Sequence, residues 1–103
     1  MNVTDDAQGG VFSVMVSHRR GPLTIAVNAG GVPTAAQRIR DAIAERFDAR
    51  YGDALDDLVK VRRRLLAAGK GEQWRECAAQ VIDEDFCDSV ESGTLAQRLG
   101  PWR

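Results

Sequence analysis

The sequence predicts an α+β fold in which two N-terminal strands precede three or four helices. Apolar and polar residues alternate over residues 11–17 and again over 23–29, which is typical of half-buried strands. After Gly30-Gly31 the apolar spacing changes to steps of three and four, which indicates amphipathic helices. With 103 residues the chain has the length of one small domain. We expect it to comprise an N-terminal segment (1–10), two strands with the first helix (11–52, a dimerisation region) and a helical tail (53–103).

The two strands are predicted to form a hairpin. Residues 18–22 separate them with the sequence HRRGP, a polar turn that contains glycine and proline. Because a two-stranded sheet is marginal on its own in water, we expect the strands to pack on the helices and to be shared across a homodimer. The residues predicted to face inward are Phe12, Val14 and Val16 in the first strand and Leu23, Ile25, Val27 and Ala29 in the second.

Capping residues and glycines predict the helix boundaries. Thr34, followed by Gln37 three residues later, has the spacing of a capping box and starts the first helix. Gly52 is predicted to end that helix, and Asp53 to cap the second one, which stops at 69–71. A third helix is predicted around residues 74–82, and a short apolar pattern follows at Leu95 and Leu99. The apolar stripe of the first helix comprises Ala35, Ile39, Ala42, Ile43, Phe47 and Tyr51.

Composition argues against several function classes. The net charge of −1 gives no electrostatic reason to bind nucleic acid. No apolar run approaches the roughly 20 residues that span a bilayer, and residues 1–10 do not resemble a signal peptide, so we expect a cytoplasmic protein that does not engage a membrane. Cys77 and Cys87 form no CxxC motif, so we expect reduced thiols and no zinc site.

Several polar residues are candidates for binding, each with a structural alternative. The single histidine, His18, could hold iron or move a proton, or it could be a surface turn residue. Gly30 and Gly31 precede a helix start that would favour an anionic carboxylate, although a tight turn also requires glycines. The basic cluster 60–64 and the acidic cluster 83–91 could be solvated faces, or could meet across a dimer or at a partner; the acidic cluster lacks the spacing of a calcium loop, and no metal ligands are predicted.

One part of the chain also resembles a known family. The matching residues are Asn2-Val3-Thr4-Asp5-Asp6, Phe12, the segment 20–27 (RGPLTIAV), Gly30-Gly31, Arg38 and Glu45. They resemble the siroheme synthase family, which comprises precorrin-2 dehydrogenase/sirohydrochlorin ferrochelatase. The resemblance extends from residue 2 to about residue 47 without a gap, and the later helices resemble the family's helical tail only in outline.

The resemblance implies a tetrapyrrole ligand and assigns roles to individual residues. The catalytic carboxylate of the family corresponds to Asp5, which would accept a proton from the tetrapyrrole. Arg20 and Arg38 would bind substrate carboxylates, together with the turn that contains Asn28, Gly30 and Gly31, and with His18 nearby. The family's nucleotide-binding domain has no counterpart here: the chain contains no G-x-G-x-x-G, so no NAD site is expected within it, and a partner protein could carry that domain.

Three interpretations of function stay open. The chain could be a short chelatase that inserts Fe²⁺ or Co²⁺ into sirohydrochlorin without an NAD-dependent step. It could instead be a non-catalytic, dimeric binding or assembly module, because Asn28-Ala29 replaces the family's Ser-Ser or Ser-Thr, Pro33-Thr34 replaces its Ser-Pro, and Met15 replaces a proline. Finally, it could be a fragment of a longer precorrin-2 dehydrogenase.

Overall fold

The computed structural model describes residues 15–103 and confirms the α+β class: two antiparallel strands are followed by five helices rather than three or four. The described chain divides into two compact units, of which the first ends at Asp48 and the second comprises Ala49–Arg103. The first unit contains β1 (Val16–Arg20), β2 (Leu23–Val27) and α1 (Pro33–Arg46). The second contains α2 (Ala49–Ala67), α3 (Gly71–Val81), α4 (Phe86–Ser92), α5 (Leu95–Leu99) and a final 3₁₀ turn (Gly100–Trp102).

The hairpin is confirmed, but its first strand ends later than predicted. β1 pairs with β2 from Val16 opposite Val27 to Arg20 opposite Leu23, so only Gly21 and Pro22 form the turn. The predicted turn over residues 18–22 is wrong because the polarity of Arg19 and Arg20 does not end a strand whose other face is solvated. Residues 11–14 of the predicted first strand lie outside the described residues.

Helix α1 covers one face of the hairpin. It contacts both strands, and Ala36 on its inner side is fully buried. The predicted inward-facing residues Leu23, Ile25 and Val27 are half-buried, as is Val16. The opposite face of the hairpin is exposed and carries Ser17, Arg19, Thr24 and Ala26.

Both predicted boundaries of the first helix are wrong. The helix begins at Pro33, whose fixed φ suits the first turn, and its N-cap Val32 makes no side-chain bond, so the Thr34–Gln37 capping box is not formed. It ends at Arg46, where the Phe47 amide donates to the Ile43 carbonyl oxygen. Gly52 does not end a helix but lies buried inside α2, and Asp53 is therefore not a cap.

The second unit has the larger apolar core. Along α2 the buried residues recur every three or four positions, which is one helix face, and this face begins at Tyr51 and runs through Gly52. Burial of that face offsets the cost of about 1 kcal/mol for a glycine in a helix interior. The predicted C-terminal end of α2 and the position of α3 are confirmed, but α2 begins at Ala49, before the predicted cap Asp53. Helix α4 forms in the acidic stretch, where no helix was predicted. The core residues of this unit are Tyr51, Ala54, Leu58, Val61, Leu65, Cys77, Val81, Val90, Leu95 and Leu99.

Candidate functional site

The turn between β2 and α1 is built by two glycines and an asparagine. Gly30 and Gly31 have φ of 65° and 84°, the left-handed region that side chains other than glycine rarely adopt. The Asn28 Oδ1 accepts the Gly30 amide at 2.9 Å, and the Val32 amide donates to the Ala29 carbonyl oxygen at 3.2 Å. Nothing lies within 4 Å of a Cβ placed on either glycine, so the backbone conformation, not close packing, requires them. The turn is therefore open to solvent and to a ligand.

The predicted substrate-binding arginines are exposed, but they are not gathered at this turn. Arg20 is the last residue of β1, at the Gly21-Pro22 end of the hairpin, and its guanidinium donates to the Arg19 carbonyl oxygen at 2.9 Å. Asn28 follows β2 at the other end, five residues beyond the level of Arg20 and so roughly 17 Å away. Arg38 lies on α1, in its second turn, and is exposed. The structure thus brings Asn28, Gly30 and Gly31 together and separates them from Arg20.

His18 is buried within β1, so the interpretation as a surface turn histidine is wrong. Only 6% of the residue is exposed, on the face that α1 covers. Its Nε2 donates a short hydrogen bond to the carbonyl oxygen of Phe47, which follows the last residue of α1. This bond joins the centre of the strand to the end of the helix and engages one of the two ring nitrogens. The catalytic candidate Asp5 lies outside the described residues.

A polar cluster lies around Arg98 in the second unit, and the sequence pattern did not predict it. Its guanidinium donates to the Gln80 carbonyl oxygen at 2.6 Å, to Ser89 Oγ at 2.6 Å and to Asp83 Oδ2 at 2.7 Å. The Arg98 bonds hold the pKa of Asp83 below its ordinary value. The cluster joins α3, the acidic stretch and α4 to α5, which is a structural role. The sequence does not indicate this role, because Arg98 lies three residues after Leu95 in a short apolar pattern and far along the chain from Gln80 and Asp83.

A second missed contact joins Tyr51 to Glu91. The phenol donates a short hydrogen bond to Glu91 Oε2, and a carbonyl oxygen, that of Cys87, lies 3.5 Å away. Burial, followed by the bond to Glu91, raises the pKa of Tyr51. The phenol therefore stays protonated at physiological pH and serves as a donor that links α2 to α4.

The second unit also carries an open groove of about 220 Å³. Three charged residues line it, Arg50, Asp53 and Asp57, and two of them, Arg50 and Asp57, are engaged within the unit. Arg50 donates to the Glu91 carbonyl oxygen at 3.3 Å, and Asp57 accepts from Arg103 at 2.9 Å. The lining residues are Arg50, Asp53, Ala54, Asp57, Val90, Gly93, Leu95 and Ala96.

The structure also shows the burial of the two thiols and the exposure of the basic cluster. Cys77 is buried and Cys87 is half-buried, and both are free thiols. The basic cluster 60–64 is exposed apart from Val61, and Arg64 donates to the Trp102 carbonyl oxygen. In residues 15–103 no group of three or more histidine, cysteine or acidic residues converges as a metal site. None of the helices described is long and apolar enough to cross a bilayer.

Comparison with models of known protein families finds no match for this chain, and no solved structure is significantly similar to it.

Proposed function

We propose that the chain binds a polycarboxylate tetrapyrrole as a short, siroheme-synthase-like protein. The observation that carries the proposal is a set of three exposed guanidinium groups, those of Arg19, Arg20 and Arg38. Within residues 15–103 none of the three has a carboxylate partner, whereas Arg40 is paired with Asp41 at 3.1 Å. Guanidinium groups bind carboxylates through paired hydrogen bonds, and sirohydrochlorin carries many carboxylate side chains.

The turn before α1 supports an anionic ligand. Residues 15–48 contain five arginines and three acidic residues, and Asp5 and Asp6 bring the acidic residues of the first unit to five. The open turn at Gly30-Gly31 stands before the N-terminus of α1, where the helix dipole favours negative charge. Because Arg20 and this turn lie at opposite ends of the hairpin, a ligand that bridged them would have to be as extended as a tetrapyrrole.

The proposal also includes a catalytic activity, metal insertion into the tetrapyrrole. In metal insertion Fe²⁺ or Co²⁺ replaces the two protons on the pyrrole nitrogens of sirohydrochlorin; Asp5 would accept one of these protons and release it to solvent, and the other would pass to water. The reaction consumes no NAD, so the chain would carry it out without a nucleotide-binding domain. This activity would place the protein in siroheme, and hence porphyrin-type, biosynthesis in the cytoplasm.

A non-catalytic binding or assembly module is the second candidate. It is favoured by the turn itself, because Asn28 uses its side-chain oxygen to hold the Gly30 amide and Ala29 has no hydroxyl group. In this case the chain would deliver the tetrapyrrole to a partner, such as a protein that carries the nucleotide-binding domain. A chain that is a fragment of a longer precorrin-2 dehydrogenase would bind the same ligand through the same residues.

We propose a homodimer as the assembly of this protein. The hairpin has two strands in the described chain, and α1 covers only one of its faces. Such a small sheet gains stability when a second copy covers more of the unit.

Ligand binding is tested by titrating the full chain with sirohydrochlorin and following the Soret band. We expect a saturable spectral shift, and we expect Arg20→Gln and Arg38→Gln each to weaken binding about tenfold through loss of a charge-assisted bond. Arg62→Gln on α2 is the matched control, since Arg62 is exposed and lies outside the proposed site. No spectral shift, or equal losses in all three variants, would contradict the proposal.

Metal insertion is tested separately. Sirohydrochlorin and Co²⁺ are mixed with and without the protein, and formation of the metallated spectrum is timed. A chelatase gives faster formation than the uncatalysed control, and Asp5→Ala removes the acceleration while binding persists. Binding without acceleration selects the assembly module.

A further inference from the structure

Helix α1 has an apolar stripe that faces away from the hairpin. Val32 is 53% exposed and Ile39 is 48% exposed, both large values for aliphatic side chains. Ala42 is exposed as well, and Ala35 is half-buried. These four residues recur at steps of three and four, so they form one continuous stripe along α1, which we call the α1 stripe.

The charges beside the α1 stripe are complementary to those of a second, antiparallel copy. Arg38 and Glu45 are seven residues apart, so they flank the stripe on the same side, Arg38 beside its middle and Glu45 three residues beyond Ala42. Both are exposed, and neither has an ion-pair partner in residues 15–103. A helix with a cation and an anion two turns apart on one side matches its own copy when the two run in opposite directions, because the cation of each copy then faces the anion of the other.

The register follows from the stripe. When Ile39 of one copy stands level with Ala42 of the other, Arg38 and the partner's Glu45 are offset by two residues, roughly 3 Å along the axis. Helical side chains lean toward their own N-terminus, so these two side chains lean toward each other and close the offset. The twofold symmetry repeats the pair, which gives two reciprocal Arg38–Glu45 contacts. A large residue opposite a small one also lets the two helices approach closely.

We propose that the α1 stripe is the surface through which two copies of this chain associate, as an antiparallel α1–α1 pair. The inference rests on the homodimer proposed above, and it does not depend on tetrapyrrole binding. An arginine has five N–H donors, and a bidentate pair with a carboxylate uses two, so Arg38 keeps donors for a ligand. The interface is small, which predicts a dissociation constant on the order of micromolar.

The mass of the full chain, measured by sedimentation at concentrations from below to far above micromolar and without ligand, tests the proposal. We expect the wild-type mass to double with concentration and Ile39→Glu to stay monomeric. Leu66→Glu and Ile82→Glu are the controls, because these side chains are 42% and 46% exposed in the second unit. Both controls should dimerise like the wild type.

Charge reversal tests the orientation. Arg38→Glu and Glu45→Arg should each weaken association at least tenfold, because each places like charges together, and the double variant should restore it. A monomer at all concentrations overturns both the homodimer and the α1 interface. A dimer that survives Ile39→Glu overturns the interface alone and places the contact elsewhere, such as at a strand edge. A double variant that fails to recover also overturns the antiparallel pairing.

Discussion

The conformation of Gly30 requires a glycine at this position of the β2–α1 turn. Its φ of 65° costs a residue with a Cβ about 1–2 kcal/mol, while the space around it is open. We therefore expect Gly30→Ala to lower the free energy of unfolding of the first unit by about 1 kcal/mol. Gly30→Asn should cost less, because asparagine tolerates the left-handed region. Urea denaturation followed by circular dichroism measures both, and equal effects of alanine and asparagine would contradict this explanation.

His18 is expected to matter for stability even if it never touches a ligand. His18→Leu keeps an apolar fit against α1 but leaves the Phe47 carbonyl oxygen without its donor, which costs about 1–2 kcal/mol. Ser17→Ala, on the exposed face of the same strand, is the control and should change the stability by less than about 0.5 kcal/mol. Amide exchange of β1 reports both variants. If His18→Leu leaves β1 as protected as the wild type, the bond to Phe47 contributes nothing measurable.

At the scale of elements, α5 is held to α3 and α4 by polar bonds as well as by apolar burial. Arg98 reaches a main-chain oxygen of α3, the Asp83 carboxylate and the buried Ser89 hydroxyl. This single side chain fixes the acidic stretch against the C-terminal helices. The carboxylate of Asp83 in this stretch is thus matched by a cation 15 residues away.

The Asp83–Arg98 pair predicts a pH dependence. Because the pKa of Asp83 is lowered in the folded protein, its stabilising contribution is present above the ordinary value of 3.8 and is lost as the pH falls through the lower, folded value. Asp83→Asn should therefore melt below the wild type at neutral pH, and the difference should vanish in acid. Thermal melts of both proteins from pH 7 down to pH 2 provide the measurement. Asp53→Asn, at an exposed position of α2, is the control. A difference in melting temperature that persists unchanged in acid would refute the assignment.

At the scale of the whole molecule, stability should be concentrated in the core of the second unit. Leu99 is fully buried, so we expect Leu99→Ala to cost about 2–5 kcal/mol. Leu66→Ala is the matched control, because Leu66 is 42% exposed. Chemical denaturation of both variants would show whether this difference exists. A similar loss in both would mean that Leu99 is not a core residue.

The sequence predicted the fold class and most elements, because alternation and helical spacing record which side chains are buried. Gly52 misled the placement of a helix end, since burial of the Tyr51 face outweighs the preference of glycine. Helix α4 was not predicted because it lies in an acidic, turn-rich stretch. It is stabilised by Arg98, whose contact with Ser89 is not visible in the local sequence pattern. His18 looked like a turn residue because its acceptor, Phe47, is 29 positions away.

The candidate site was predictable only in part. The Gly30-Gly31 turn follows directly from the sequence, and the exposure of the two arginines follows from their charge. That Arg20 lies at the far end of the hairpin depended on the register, which polarity alone did not reveal. Ligand and chemistry rest on the resemblance, which describes residue types and not their arrangement in space.

The different burial of the two free thiols provides a way to measure transient opening of the helical core. Burial of Cys77 raises the pKa of its thiol and shields it from reagents, while Cys87 is half-buried on a neighbouring helix. A thiol-reactive dye should modify Cys87 first, and Cys77 only when the helices around it separate transiently. The rate of the second modification then reports how often the helical core opens under native conditions, without denaturant.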